Sequence, residues 1–426
     1  MKILWVTNQI LPDIAEYIGL EKSNSGGWMY GLASNLKQNK DIELHIASAH
    51  HIQNYLHKKI NDVDYHLLPS KIDKVKYDNS LEKKWKKAIS IIKPDIIHIH
   101  GTEYAHGLAL INACPNLNFV VSVQGLISLC EKYYQGGISS WKLFKKITFR
   151  DIVRWDTVFL AKKKFYKRGI YEKQYLQKVS HVMGRTDWDR DNIMAINPNI
   201  NYHFCNEILR DSFYNSDKWD IEKKEDYTIF LSQCYYPLKG LHQVLKALYL
   251  VKKKIPAKIK LQVAGDNIIK LDTIEAKLKL SGYGNYIVSL IKKYNLKDNI
   301  EFLGVLDEKQ MISQYLKSHI FICPSSIENS SNSLGEAQIL GVPSIASYVG
   351  GNPNMIEHGV NGFLYRFEET NMLSEKIIKL FSDNELSEKI SKNSIITAEK
   401  RHHKKDNVEQ NINIYKKIIH RHPLKS

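Results

Sequence analysis

A chain of 426 residues has room for two or three domains with sizeable cores. Its 43% hydrophobic and 25% charged residues exclude a disordered chain, and no run approaches the roughly 18 apolar residues of a membrane-spanning helix. A formal net charge of +16 at pH 7 asks for an anionic partner: nucleic acid, an anionic lipid surface or a phosphorylated substrate.

The chain begins "MKILWVTNQILP", whose apolar run from Ile3 to Val6 is too short for a signal-peptide core. The segment "KILWVT" (2–7) reads as a buried strand, "GGWMYGLASNLKQ" (26–38) as the helix after it and "IELHIAS" (42–48) as the next strand. "PDIIHIH" (94–100) and "FVVSV" (119–123) are two more, with "EYAHGLALINA" as the crossover between them. In the second half, "YTIFLS" (227–232), "IKLQVAG" (259–265), "IEFLG" (300–304), "HIFICPS" (319–325) and "PSIAS" (343–347) read as strands. Helical patterns separate them, as at 239–254 and 307–317. Strand–helix alternation in both halves predicts two doubly wound α/β domains. The five cysteines, at 114, 130, 205, 234 and 323, form no Cys-x-x-Cys pair, so the expectation is neither disulfides nor zinc but buried thiols in a reducing cytoplasm.

Between the halves, residues 141–178 carry twelve Lys and Arg against three Asp and Glu, with nine aromatics mixed in. Two basic amphipathic helices fit the pattern. They read either as a solvated face over a core or as a surface that docks on anionic headgroups through Lys162, Lys163, Lys164, Lys167 and Arg168.

The stretch "ENSSNSLGE" (328–336) sets two carboxylates around a turn of small polar residues, directly after a strand and before the helical "LGEAQILG". A loop at the carboxyl end of a parallel strand is where such sheets bind ligands, and the N–H groups of a helix N-terminus suit phosphate. The alternative is local: Ser333 and Glu336 have capping-box spacing, so Glu336 would cap its own helix. The tripeptide "DWD" (187–189) matches the Asp-x-Asp of metal-dependent glycosyltransferases. Its place between "VSHVMG" and a helix makes Asp187 a helix N-terminal acid instead. No His, Cys and Asp cluster has metal-ligand spacing.

The segment "SSIENSSNSLGEAQILGVPSIASYVGGNPNMIEHGVNGFLY" (325–365) resembles the signature region of the family 4 glycosyltransferases, and the resemblance extends over most of the chain. It implies the GT-B fold: two Rossmann-like doubly wound domains facing across a cleft. The domains expected are an acceptor-side domain at 1–206, interrupted by the 141–178 insertion, and a nucleotide-sugar domain at 207–400. A final helix at 401–426 is expected to cross back to the first. The resemblance makes Glu336 the acid that holds the ribose hydroxyls and Glu328 the acid that meets the donor sugar. It sets the backbone around Ser331, Asn332, Ser333 and Leu334 against sugar and diphosphate. "SQCYYPLKGLHQVLKAL" (232–248) places Lys239 where the family keeps a diphosphate-binding lysine, with Gln233 where an arginine usually stands. "SGGWMYGLA" (25–33) resembles the glycine-rich first loop, so Gly26 and Gly27 join the donor-binding residues with Gly265, which closes "IKLQVAG". His100, two residues after His98 and so on the same side of its strand, stands where the family often keeps a histidine near the donor sugar, and it joins Glu328 as the catalytic expectation. Gln124 replaces another familiar histidine. Arg185 in "GRTDWDR" is a candidate to face the cleft, with no catalytic role attached.

What the resemblance implies is a metal-independent, retaining transferase without a resident cofactor. It would move a hexose or N-acetylhexosamine from a nucleotide sugar, UDP preferred over GDP, to a lipid-linked or oligosaccharide acceptor during capsule, O-antigen, lipopolysaccharide or exopolysaccharide synthesis. It would work in the cytoplasm, peripheral at the inner face of an anionic membrane. The alternative, from Gln233 and Gln124, is a silent module that binds nucleotide sugar or glycan without turnover. No nucleic-acid motif accompanies the charge, so nucleic acid is not an expected partner.

Overall fold

The computed structural model describes residues 1–20, 26–70 and 75–421. The chain divides into two compact units, one of residues 1–129, 164–210 and 402 onward, the other of 130–163 and 211–401.

The first unit is built on eight strands, β1 Lys2–Thr7, β2 Glu43–His50, β3 Leu56–Ile60, β4 Val63–Pro69, β5 Ile96–His100, β6 Phe119–Ser122, β7 His181–Gly184 and β8 Asn201–Phe204. Their order is β3-β4-β2-β1-β5-β6-β7-β8, parallel except for the antiparallel β3–β4 edge. Alternation along β1 shows how the sequence covers both faces. Ile3 and Trp5 join Met29, Leu36, Ile414 and Tyr415 on one side. Leu4 and Val6 join Leu81, Trp85 and Leu108 on the other. Helix Lys404–Arg421 belongs to the first of these faces, where the Trp5 indole N–H donates to the Tyr415 hydroxyl at 3.2 Å. Residues 422–426 of the expected tail lie outside the described residues.

The second unit has six parallel strands, β9 Glu225–Leu231, β10 Lys260–Ala264, β11 Ile300–Gly304, β12 Ser318–Cys323, β13 Ser344–Ser347 and β14 Phe363–Tyr365, ordered β11-β10-β9-β12-β13-β14. Ile229 and Leu231 enter a core with helices Leu241–Lys254, Gly282–Tyr294 and Thr370–Ser382. Phe230 points the other way, edge-on to Tyr315 of helix Glu308–Lys317 at 5.0 Å. Helix Leu241–Lys254 forms because Leu241, Val244, Leu245, Leu248 and Val251 recur at helical spacing and are buried, while Lys252, Lys253 and Lys254 complement its C-terminal dipole. Chain order reverses between β9 and β12, which makes the carboxyl ends of these two strands the natural ligand position.

The basic segment departs from expectation. Residues up to 163 belong to the second unit, not to a domain ending at 206. The cause is side-chain chemistry: Ile138 and Leu143 enter the second unit's core, and the buried Asp151 carboxylate accepts the Gly282 backbone N–H at 2.8 Å. Helix Val158–Lys178 then carries the chain back into the first unit. Among the described residues, no helix is long and apolar enough to cross a membrane.

Candidate functional site

Two loops of the second unit meet at the switch between β9 and β12. The first runs from Ser232 to Gly240, closes with the short turn Pro237–Lys239 and presents Lys239. The second follows β12 and presents Glu328. The Lys239 ammonium donates to the Glu328 carboxylate at 2.9 Å. The side chains are 11% and 20% exposed, so this is a largely desolvated pair with an opening to solvent. Burial alone would lower the lysine's pKa. The Glu328 carboxylate and the nearby Tyr236 more than offset that and hold it above its ordinary value, so Lys239 is a fixed positive charge.

The small-residue turn is organised by its own side chains. Ser331 caps helix Asn332–Leu340, accepting the Leu334 N–H, and its hydroxyl lies 3.0 Å from that of Ser333. The Tyr315 hydroxyl donates to the Ser333 carbonyl at 2.9 Å and holds the first turn from outside. Because the cap is Ser331, the third helical residue is Leu334. Glu336 is two residues further on, so the capping-box reading of Ser333 and Glu336 fails. Glu336 is instead 7% exposed, in the second turn of the same helix.

The structure thus brings Lys239, Glu328 and the turn Ser331–Leu334 into one place, with Glu336 a turn behind. Gln233 is half-buried beyond the end of β9, and Gly265 closes β10 against the Tyr235 ring. Gly26, Gly27 and His100 belong to the first unit. Gly26 caps helix Gly27–Leu36 in a left-handed conformation, and Gly27 lies against the Arg210 side chain; Ser25 lies outside the described residues.

His100 is 3% exposed and sits inside the first unit. Its ring lies 3.8 Å from that of His98 and 4.4 Å from that of Trp5, so the shared face expected of the two histidines is present. Neither of its ring nitrogens has a hydrogen-bond partner among the described residues, and burial, then His98 and Arg185, drive its pKa well below the usual range. Arg185 lies in the same interior: 4% exposed, paired with Glu207 at 2.6 Å and donating to the Val123 carbonyl at 2.7 Å. Gln124 accepts from Arg185 at 3.1 Å. Asp187 opens helix Asp187–Ile196, and Asp189 is fully buried, accepting from the Arg185 N–H and the Tyr202 hydroxyl. The "DWD" acids therefore serve a helix start, and no group of three His, Cys, Asp or Glu among the described residues is placed to hold a metal ion.

Sequence reasoning missed two neighbours of the site. Tyr235 and Tyr236 precede Lys239 in the same loop, and Tyr236 lies within electrostatic reach of both Lys239 and Glu328. The aromatic pair in "CYYPLKG", directly after a strand, is the signal that could have found them. In the first unit, Asn8 after β1 donates to Glu103 after β5 at 2.8 Å, at that sheet's own switch. Burial pushes the Glu103 carboxyl up to about 7.

With this geometry in hand, the similarity to known proteins is informative. Residues 212–396, nearly all of the second unit's main segment, match the family described as glycosyl transferases group 1. This stretch is similar to the group 1 glycosyl transferases. It accounts for 185 of 426 residues and contains Lys239, Glu328 and Glu336. N-acetyl-alpha-D-glucosaminyl L-malate synthase of Bacillus anthracis is 34% identical over 117 residues, 26% of this chain and 30% of that protein. A capsular polysaccharide biosynthesis glycosyltransferase of Staphylococcus aureus is 29% identical over 155 residues, 36% of this chain and 37% of that protein. The chain therefore matches well under half the length of these relatives. The structure of Anabaena HepE with UDP and glucose aligns over 98% of this chain and 99% of its own, with a TM-score of 0.63 at 15% identity. Likeness at that identity concerns the fold: the two units are the Rossmann-like domains of the GT-B fold.

Proposed function

We propose that the protein is a retaining glycosyltransferase that moves a hexose or N-acetylhexosamine from a UDP-sugar to a lipid-linked or saccharide acceptor in bacterial surface-polysaccharide synthesis. The observation that carries this reading is the Lys239–Glu328 pair at the switch of β9 and β12, beside a side-chain-poor helix start backed by Glu336. The names of the relatives support it, as does the UDP and glucose of the HepE structure.

In this mechanism Glu336 takes the ribose hydroxyls and Glu328 a hydroxyl of the donor sugar. Lys239 and the N–H groups of the first turn face the diphosphate. The acceptor oxygen forms the new bond to the anomeric carbon on the side the nucleotide leaves. The bond from that carbon to the diphosphate oxygen breaks, its electron pair departing with UDP, and the acceptor's proton passes to a phosphate oxygen. Negative charge grows on the leaving group, and a preorganised lysine and helix N-terminus stabilise it most where water is scarce. These groups supply the positive charge, so the reading assigns neither a metal nor a resident cofactor. The work is placed at the cytoplasmic face of an anionic membrane.

A thermal-shift screen of UDP- and GDP-sugars, followed by turnover on the best donor, tests the proposal. Glu336→Ala should lower kcat/KM by about 100-fold or more, the loss of roughly 3 kcal/mol of charged hydrogen bonding. Since Ser331 and not Glu336 caps the helix, a melting temperature close to wild type would mark the loss as one of donor binding rather than of helix capping. No shift with any nucleotide sugar would refute the reading; binding without transfer would select the silent module.

A further inference from the structure

The turn that carries Lys239 is held on three sides by backbone. From the loop after β12, the Ser326 N–H donates to the Leu238 carbonyl at 2.7 Å. Gly240, at φ +74°, lies so close to the same loop that a Cβ would overlap the Pro324 carbonyl oxygen. The third side is the inserted segment. Gly136, at φ +58°, packs on the turn in the same way, and a Cβ there would overlap the Pro237 carbonyl oxygen.

Side chains fix that contact. His242, fully buried at the start of helix Leu241–Lys254, lies 2.7 Å through Nε2 from the Gly136 carbonyl oxygen. A carbonyl only accepts, so Nε2 carries the ring proton, and Nδ1 accepts from the Tyr283 hydroxyl at 3.2 Å. The Ser326 hydroxyl donates to the Tyr133 carbonyl at 2.9 Å and lies 3.3 Å from the Leu238 carbonyl. Beside it the Tyr134 ring stacks on that of Tyr236, with centroids 5.8 Å apart. Residues 133–136 therefore touch both loops of the site. Tyr134 and Gly136 meet the loop that presents Lys239, and Tyr133 meets the loop that presents Glu328. Anchorage of the segment does not explain these contacts. Ile138 and Leu143 already seat it in the core, and Asp151 already bonds it to Gly282 at 2.8 Å. The polar contacts at 133–136 converge instead on the turn of the charged lysine, where the ammonium meets Glu328 at 2.9 Å.

We propose that residues 133–136 of the inserted segment are a brace that sets the position of the Lys239 ammonium, and that Gly136, His242 and Ser326 are positioning residues for the donor diphosphate. None of the three touches the donor; each acts through the turn at Lys239. The inference rests on the donor reading of Lys239 and deepens it, since it names what holds the charge in place before the diphosphate arrives.

The test is a double-mutant cycle on the full chain. It reads the dissociation constant of the best donor's nucleoside diphosphate, UDP or GDP, by calorimetry well below each variant's melting temperature. Gly136→Ala should weaken binding about 10-fold, since a displacement of about 1 Å costs a preorganised site on the order of 100-fold. In a Lys239→Ala background the same change should cost less than about twofold, because the group it positions is gone. Ser326→Ala is the milder change, removing one hydroxyl, and it carries the test should Gly136→Ala not fold. It should weaken binding about 3-fold with Lys239 present and leave it level without. A purely structural role predicts a lower melting temperature with binding within about twofold of wild type, or an equal loss in both backgrounds; either result overturns the inference. Failure of the underlying reading is separate: the wild-type protein would then bind neither diphosphate.

Discussion

Gly350 decides where Glu328 can sit. Its φ is +51°, and a Cβ there would stand 1.9 Å from the Glu328 carbonyl oxygen. The next residue, Gly351, donates its N–H to that same carbonyl at 3.0 Å. The glycine pair of "YVGGNP" is therefore the clamp on the loop that carries the acid, 22 residues away in sequence, and only a residue without a side chain lets the two backbones meet. Gly350→Ala should cost about 1–3 kcal/mol of stability in urea unfolding, from strain at positive φ and the forced retreat of the loop. It should also weaken UDP-sugar binding by moving Glu328 off Lys239. Gly125→Ala is the control: a Cβ there meets nothing within 4 Å, and its φ is not in the left-handed region. Equal effects of the two substitutions would show that Gly350 does not position the loop.

At the scale of elements, the inserted segment has two unlike sides. Helices Ser140–Phe144 and Phe149–Val153 turn Leu143 and Asp151 inward. Outward they leave Trp141, Phe144, Phe149, Ile152, Val153 and Trp155 exposed, Trp155 at 74%. Lys142, Lys145 and Arg154 are exposed among them. Aromatic rings interleaved with cations fit the interface of an anionic bilayer, each buried ring contributing about 1.5–3 kcal/mol and each cation about 1. Phe149→Ser with Trp155→Ser should reduce flotation with phosphatidylglycerol vesicles by more than about 10-fold. Charge reversal at 162–168 should report less cleanly, because Lys162 is 3.5 Å from Glu131 and Arg168 donates to the Glu103 carbonyl at 2.7 Å. Unchanged flotation, with light scattering showing a dimer that the double variant loses, would assign the patch to a second copy instead. The same segment marks where sequence reading stopped. "HIFICPS" declares itself because a strand buried on both faces carries a continuous apolar run, and "IKLQVAG" because its apolar residues alternate with Lys260 and Gln262. The edge strand "LHKKI" and the three-residue "FLY" carry no such signal, one being solvated and the other too short. The 325–365 turn was legible because its acids, glycines and helix start are contiguous. The setting of Tyr236 was not, since its ring stacks on that of Tyr134, and the segment holding Tyr134 precedes the first unit's last strands yet packs in the second.

Across the whole molecule, buried histidines set the response to acid. Burial holds His66, His98 and His242 down at about 3, and His106 and His319 at about 4, against an ordinary 6.5. The native state keeps these rings neutral. As pH falls through 6.5 the unfolded chain takes up protons that the folded one refuses, and stability is lost at about 1.4 kcal/mol per pH unit for each ring, down to the folded values. Glu103 works the other way: its carboxyl is raised to about 7, so its contribution is present in acid and is lost as pH rises from about 4.5 towards 7. Five groups of one sign outweigh one of the other between pH 6.5 and 5. Thermal or urea melts from pH 8 to pH 5 should therefore show a plateau above about pH 7 and a steep loss below about 6.5. Both units should take part, because three of the histidines belong to the first and two to the second. Glu103→Gln should flatten the small opposing slope near neutrality and leave the acid limb in place. A melting temperature that stays level down to pH 5 would mean that these rings are protonated in the native state, and that the polar interiors around His98 and His242 are open to water.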